Sequence, residues 1–437
     1  MTPVSAISKG LAINTASNHG YDHGWVHNRR TSLSSNQPLS TYFSHPRHLR
    51  QYRQAAHYNI THVRRQAFYS LPAAHVDILS EPPFSLPQTF RDVDDAIDSN
   101  AEIAEAILEA GLTMYGIDPH DKSWQGTATP RDMDKARSTI RQLYRDWSDE
   151  GRQELSKVFE PIKTTLHGFL SDFNTSPSKD RSASRVLVPG AGLGRLVFDL
   201  VAEGYTVEGN EISYHQLIAS YYILNCTGKA EQHTLYPWAL NFSNHLRREN
   251  QLRAVGIPDI HLAEFLESTS SASELHYSER MSMSAGDFCV LYRQPETRES
   301  FSAVATCFFI DTAPNVINYI ETIKNCLRPG GIWVNGGPLL WHFECSPTPA
   351  EKQAAKHNSG SVAEAAGTVD PSASNQGIGD PGSFELSNDE MVALVQRFGF
   401  EILRHEERSD KTAGYILDDR SMLTNYYRPS FWVARKL

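Results

Sequence analysis

Arg185-Val-Leu-Val-Pro-Gly-Ala-Gly-Leu-Gly-Arg195 decides how this chain is read. The aliphatic run Val186, Leu187, Val188 stops at Gly190, Gly192 and Gly194, and the apolar spacing then becomes helical at Leu196, Val197, Leu200 and Val201. The pattern predicts a strand, a tight turn and a helix. Glycines in such a turn permit positive φ and let a ligand approach the backbone, while the free N–H groups of the helix start attract an electron-rich group. A second strand, Thr206-Val-Glu-Gly-Asn-Glu211, follows, and an acid at its end can accept hydrogen bonds from both hydroxyls of a ribose.

Two cofactor classes use this layout. Dinucleotide enzymes read G-x-G-x-x-G, whereas Gly190, Gly192 and Gly194 read G-x-G-x-G, the form common in S-adenosylmethionine-dependent methyltransferases, whose ligand has no pyrophosphate to cradle. Alone, the glycines are equally compatible with a purely structural strand-to-helix turn. With Glu211 added, the nucleoside reading is favoured.

At 437 residues the chain has room for one large domain or two ordinary ones, and 40% hydrophobic with 21% charged residues describes a soluble globular protein. A net charge of −10 argues against a broad electrostatic grip on nucleic acid, and none is expected as a partner. No apolar run is long enough to span a bilayer and the N-terminus has no signal-peptide core, so the expected location is cytoplasmic, with the nucleus as a second compartment. Cys226, Cys289, Cys307, Cys326 and Cys345 form no C-x-x-C pair; free thiols are expected and no metal site.

Residues 1–45, rich in Ser, Asn, Gly and His, read as a flexible N-terminal tail. From His45 to Tyr69 arginines alternate with tyrosines; a solvated helix face over an acidic neighbour is favoured over an anion-binding patch, because an acidic amphipathic helix follows from Asp92 to Ala110. Thr129-Pro130 opens another helix with Met133, Ile140, Tyr144 and Trp147 on its apolar face. Gln142 and Arg145 share a side of that helix, and on spacing alone read as an ordinary solvated pair. Ser213 to Asn225 predicts a helix with Leu217, Ser220, Tyr221 and Leu224 inward, and Thr227 to Arg280 reads as an ordered insertion shaping one wall of a site.

Met281 to Phe288 predicts a third strand ending in the acidic-aromatic pair Asp287-Phe288. Ser302 to Ile310 predicts a central strand covered on both faces, with Asp311 at its end. A helix over Pro314 to Leu327, a turn at Arg328-Pro-Gly-Gly331 and a strand from Ile332 to Asn335 come next. After a compositionally biased insertion at 346–383, a helix (Ser387 to Phe398) and two strands (Phe400 to Glu406, Ser430 to Lys436) close the chain. The alternation predicts an α/β, doubly wound, mainly parallel sheet with ligands at the carboxyl ends of its strands. There Asp287 would hydrogen-bond an adenine amino group with Phe288 over the ring, and Glu211 would hold the ribose. His342 follows the fifth strand, and Tyr426 and Tyr427 precede the last one; core packing is the alternative for one of the two tyrosines.

Val188-Pro-Gly-Ala-Gly-Leu-Gly-Arg-Leu196, Gly209-Asn-Glu211, Leu235-Tyr-Pro-Trp238, Ala285-Gly-Asp-Phe288, Thr306-Cys-Phe-Phe-Ile-Asp-Thr-Ala313, Pro329-Gly-Gly-Ile-Trp333 and Gly337-Pro-Leu-Leu-Trp-His-Phe343, together with Arg145-Asp-Trp-Ser148, resemble carnosine N-methyltransferase. The likeness covers about residues 130–345 and 384–437. It implies a seven-stranded class I methyltransferase (Rossmann-like) sheet over residues 161–437, with insertions at 227–280 and 346–383, and an N-terminal helical region, 46–160, closing over the cofactor site. It implies S-adenosylmethionine as cofactor and methyl transfer to an imidazole ring nitrogen of carnosine, giving anserine. Carried over, the cofactor contacts fall on Gln142, Arg145, Gly190, Gly192, Glu211, Asp287, Phe288 and Cys307; substrate contacts fall on Asp311, His342 and Tyr427, with Phe308 nearby. Asp311 and His342 are then expected to orient the ring and Tyr427 to bind the dipeptide. Asn425 stands where the family has another tyrosine, and the 346–383 insertion is a second departure; both bear on substrate range. A small histidine-containing dipeptide is the expected partner, and a homodimer is compatible. The competing readings are a methyltransferase of another histidine-containing peptide or of a protein histidine, a non-catalytic S-adenosylmethionine-binding module, and an NAD-dependent oxidoreductase, which the glycine spacing disfavours.

Overall fold

The structure is a computed structural model describing residues 13–14, 47–120, 128–173, 180–269, 273–343, 383–406 and 412–437. Its strands are β1 (Ile13–Asn14), β2 (Arg185–Pro189), β3 (Thr206–Glu211), β4 (His233–Leu235), β5 (Val255–Ile257), β6 (Met281–Ala285), β7 (Phe301–Cys307), β8 (Leu327–Gly337), β9 (Phe400–Glu406) and β10 (Ser430–Lys436). Eight of them form one sheet in the order β1-β6-β3-β2-β7-β8-β10-β9. Only β10 runs antiparallel to its neighbours, β8 and β9. This is the expected seven-stranded, mainly parallel frame with a two-residue strand, β1, added along β6.

The central strands are aliphatic because both of their faces are covered. Val186, Leu187, Ala303, Val304 and Ala305 are all fully buried where β2 and β7 lie side by side. The glycine turn opens α5, one of the helices around the site: α1 (Arg47–Ala56), α2 (Leu86–Tyr115), α3 (Pro130–Trp147), α4 (Asp149–Phe173), α5 (Arg195–Ala202), α6 (Tyr214–Cys226), α7 (Phe288–Tyr292), α8 (Val316–Cys326) and α9 (Asn388–Arg397).

The acidic helix α2 is longer than its periodicity suggested and buries Val93, Ile97, Ala101 and Ala104 completely. Its carboxylates meet the basic segment. Arg53 bridges Asp98 and Glu105, at 2.5 and 2.9 Å, and the two ring nitrogens of His57 reach Asp94 and Asp98. Arg65 pairs with Asp94. Arg53 and Arg65 therefore join the basic segment to the acidic helix.

Helix α3 starts in a capping box, with the Asp132 N–H donating to Thr129 Oγ1 at 3.2 Å and the Thr129 N–H to Asp132 Oδ2 at 3.0 Å. Met133, Ile140, Tyr144 and Trp147 are buried as the spacing predicts. Helix α4 crosses residue 160 and packs on β7 and β8, so the helical region and the sheet share an element where a boundary was expected.

Other expectations need correction. In α6 the buried ring is Tyr222, with Tyr221 turned outwards; the inward face is set by packing against α2. The turn read at Arg328–Gly331 lies within β8: Phe301 pairs with Leu327 and Ala303 with Ile332, so the extra residues bulge from a strand that continues on both sides. Strand β7 ends at Cys307, and Asp311 falls in a short 3₁₀ turn, Ile310–Thr312. Tyr426 is 54% exposed and Tyr427 half-buried, so neither belongs to the core. Apart from β1, the 1–45 tail lies outside the described residues, as does the 346–383 insertion apart from Ser383. The 227–280 insertion is ordered where described: β4 pairs antiparallel with β5, and Asn100 of α2 exchanges hydrogen bonds of 2.9 and 2.8 Å with the Tyr236 backbone. Among the described residues no helix is long and apolar enough to cross a membrane.

Candidate active site

The carboxyl ends of β2, β3, β6, β7 and β8 open into a cavity of about 720 Å³. Gly190, Gly192 and Gly194 all have positive φ, at 66, 57 and 80°. Two of these positions differ in their surroundings. A Cβ on Gly190 would sit 2.5 Å from Phe309 Cδ2, whereas one on Gly192 would meet nothing within 4 Å. Gly190 thus lets an aromatic ring pack under the turn, and Gly192 offers bare backbone to the cavity.

Glu211, at the end of β3, is 5% exposed and lies against that turn. Its Oε2 accepts the Gly192 N–H at 2.9 Å, and its Oε1 accepts the N–H groups of Ile212 and Ser213 at 2.8 and 2.7 Å. Burial pushes its pKa up from 4.5, and the three N–H donors oppose that shift by favouring the charged form. A carboxylate on the cavity wall next to bare backbone, its charged form favoured by three N–H donors, suits the hydroxyls of a nucleoside sugar, and so these residues fit the expected cofactor.

Asp287 caps α7, its Oδ1 accepting the Val290 N–H at 2.9 Å. Phe288 is held edge-on by Phe309 and Tyr319, with ring centroids 5.5 Å away in each case. Cys307 closes β7, and burial pushes its thiol up to about 12.

Helix α3 supplies the opposite wall, where the pair that spacing alone assigned to solvent is largely covered. Gln142, 8% exposed, donates to the Tyr415 hydroxyl at 3.0 Å and accepts from Gln216 Nε2 at 2.8 Å. Arg145 donates from Nε to Asp146 Oδ1 at 2.6 Å and lies 4.2 Å from the centre of the Tyr415 ring. The end of α3 is tied to the glycine turn: Trp147 Nε1 donates to the Leu193 carbonyl at 3.0 Å, and Arg195 Nη1 donates to the Asp146 carbonyl at 3.0 Å and to Asp259 Oδ1 at 2.8 Å.

The remaining wall begins at Phe308, a non-glycine residue at φ 51°, whose N–H donates to the Gly336 carbonyl at 3.0 Å. Its ring meets Tyr415 at 5.4 Å and Tyr427 at 6.1 Å. Asp311 is 3% exposed; its Oδ2 accepts the Leu340 N–H at 2.9 Å and its carbonyl accepts the His342 N–H at 3.1 Å. Burial pushes the Asp311 carboxyl above the usual carboxylate range, an effect the Leu340 N–H and the nearby His342 reduce. This carboxyl therefore holds the loop that carries exposed His342 at the mouth of the cavity.

All eight residues expected to touch the cofactor line this one cavity, as do Phe308 and His342. Asp311 and Tyr427 do not line it; the first stands behind the His342 loop and the second behind the Phe308 ring. Reading the sequence missed Tyr415, Gln216, Phe309 and Tyr319, all on the wall. Tyr415 lies in Ala413-Gly-Tyr-Ile-Leu417, which has no period, and Phe309 sits in an apolar run that reads as strand core.

The model of the carnosine N-methyltransferase family matches residues 122–437. The carnosine N-methyltransferase of Schizosaccharomyces pombe (strain 972 / ATCC 24843) is 38% identical over 388 residues, covering 88% of this chain and 92% of the relative. That of Rattus norvegicus is 33% identical over 391 residues, covering 89% of this chain and 84% of the relative. The family match takes in the glycine turn, Glu211 and every wall of the cavity, and the chain belongs to the carnosine N-methyltransferase family, enzymes of the S-adenosylmethionine-dependent class I fold.

Proposed function

We propose that this enzyme methylates an imidazole ring nitrogen of carnosine, giving anserine. The observation that carries the reading is one cavity walled on one side by Gly192, Glu211, Asp287 and Phe288 and on another by Phe308 and His342, in a chain of this family. S-adenosylmethionine, when bound, supplies an electrophilic methyl group on a sulfonium centre. Glu211 would hold the ribose hydroxyls, Asp287 the adenine amino group, and Phe288 the ring face. Arg145 is a cation on the α3 wall and suits a carboxylate, with Gln142 beside it. Cys307, kept neutral by burial, lines the cavity as a thiol and does not compete as a nucleophile for the methyl group.

The acceptor ring has to be neutral and aimed, since a protonated nitrogen has no lone pair to give. Asp311 and His342 are assigned to its orientation in different ways: a hydrogen bond accepted by His342, which lines the cavity, from one ring nitrogen fixes the tautomer and leaves the other nitrogen facing the methyl group. Asp311, behind that loop, sets the position of His342 through the Leu340–His342 backbone. Tyr427 and Phe308 are assigned to the rest of the dipeptide. A cytoplasmic and nuclear location, a homodimeric state and independence of nucleic acid belong to the same proposal. Mass spectrometry of carnosine, free histidine and histidine-containing peptides incubated with the enzyme and methyl-labelled S-adenosylmethionine tests it. Label on the carnosine imidazole is expected; label only on other acceptors rejects the substrate.

A further inference from the structure

Helix α4 carries a carboxylate that the chemistry above does not use. Glu154 is only 8% exposed, and it reaches the segment between β9 and β10. Its Oε1 accepts the Ile416 N–H at 2.6 Å and its Oε2 the Leu417 N–H at 2.7 Å. The two successive N–H groups converge on one carboxylate in a nest-like turn, in which Ile416 adopts φ 62°. That is the left-handed region, which a β-branched residue avoids unless its surroundings hold it there. The residue immediately before this strained position is Tyr415, which touches Gln142, Arg145 and Phe308 and covers the cavity. Further along, Arg253 donates to Asp419 at 2.8 Å, and Ala413 is bridged to Tyr427. The segment is thus a strap anchored at both ends, with Glu154 under its middle.

We propose, resting on the imidazole-methylation reading, that Glu154 is a positioning residue: its carboxylate holds Ile416 in the nest conformation and so fixes Tyr415 against Phe308 and Arg145, completing the wall that the acceptor meets. The two hydrogen bonds use one oxygen each, and so an amide of the same size cannot replace them. In Glu154→Gln either Ile416 or Leu417 faces an –NH₂ group and loses its acceptor. Released from it, Ile416 relaxes towards negative φ and the Tyr415 ring swings off the cavity.

The test uses the full chain. By hydrogen–deuterium exchange, E154Q is expected to lose protection at Ile416 and Leu417 by at least about tenfold while β2 and β3 stay protected. With carnosine, KM is expected to rise by about tenfold with kcat within about threefold, the split that lost binding of the acceptor produces. E154D, which keeps the charge one methylene further back, should lie between the two. In a Tyr415→Ala background E154Q should add nothing to KM, because the residue acts through that ring. Unchanged exchange in E154Q, or the same factor in KM whether or not Tyr415 is present, overturns the assignment. Should E154Q fail to fold, the same exchange and KM measurements on E154D decide. If the unmodified enzyme does not methylate carnosine, the substrate reading falls and the exchange measurement alone decides the role of Glu154.

Discussion

Replacing Glu211 by glutamine tests the centre of the site with little change of shape. The carboxylate accepts three backbone N–H groups, at 2.9, 2.8 and 2.7 Å. An amide that keeps its oxygen on Ile212 and Ser213 turns its –NH₂ towards the Gly192 N–H, so one charge-assisted bond is lost and two donors face each other. A hydrogen bond to a charged group contributes about 1.5–3 kcal/mol, and the ribose loses an acceptor as well. At ~1.4 kcal/mol per factor of ten, affinity for S-adenosylhomocysteine should fall roughly 10- to 150-fold. Stability should change by only about 1 kcal/mol, because removing a buried charge offsets part of the lost bonding. Isothermal titration calorimetry with thermal denaturation on the same samples separates the two effects. Affinity within threefold of the parent enzyme would refute the role given to this carboxylate. The pH dependence is a second check. Because burial raises the Glu211 pKa, the native protein binds this proton more tightly than the unfolded chain does. Stability from this group therefore falls as pH rises from 4.5 through the raised value. Nucleoside affinity, which needs the ionised form, should rise over the same window.

The two glycines make a differential prediction. Gly190→Ala combines a left-handed conformation, roughly 1–2 kcal/mol, with an overlap against Phe309 of about 1–3 kcal/mol, whereas Gly192→Ala carries only the first cost. Denaturant titration should therefore find the first variant less stable, while calorimetry finds nucleoside binding weakened in the second; equal stabilities would count against the packing described. Asp311→Ala removes the acceptor of the Leu340 N–H that holds the His342 loop, so turnover of carnosine should drop at least ~10-fold, about 1.4 kcal/mol of transition-state stabilisation. Unchanged turnover removes Asp311 from the mechanism.

What could be read from the sequence was local. The strand, glycine turn and helix around Gly190, and the acid at the end of β3, are specified within 27 residues of each other, from Arg185 to Glu211. Their periodicity and their backbone requirements are visible without any partner. Asp287-Phe288 was legible for the same reason, since an acid and a ring at a strand end need only the sheet to place them. Gln142 and Arg145 were not legible from spacing, because their partner Tyr415 lies 273 residues beyond Gln142 and nothing on a helix face announces so distant a cover. It was the likeness to a known family, not their own pattern, that singled them out. Tyr415 itself has no pattern to betray it, and the backbone that follows it is bound to Glu154, a carboxylate on α4 262 residues before Ile416. The Arg328–Gly331 turn failed differently: Pro-Gly-Gly is turn chemistry, but the neighbouring β7 keeps pairing on both sides of it.

The cavity takes part of its wall from segments far apart along the chain, Gln142 and Arg145 on α3 and Tyr415 on the strap before the last strand. During synthesis the ribosome makes the glycine turn, Glu211 and Asp287 well before it reaches residue 415, so the nascent chain carries the floor of the pocket without its cover. Bound nucleoside can lend its full binding energy to the protein only after almost the whole polypeptide has emerged. A chain cut off shortly before Tyr415 would keep the motifs that identify the enzyme and lack the surface that encloses its ligands.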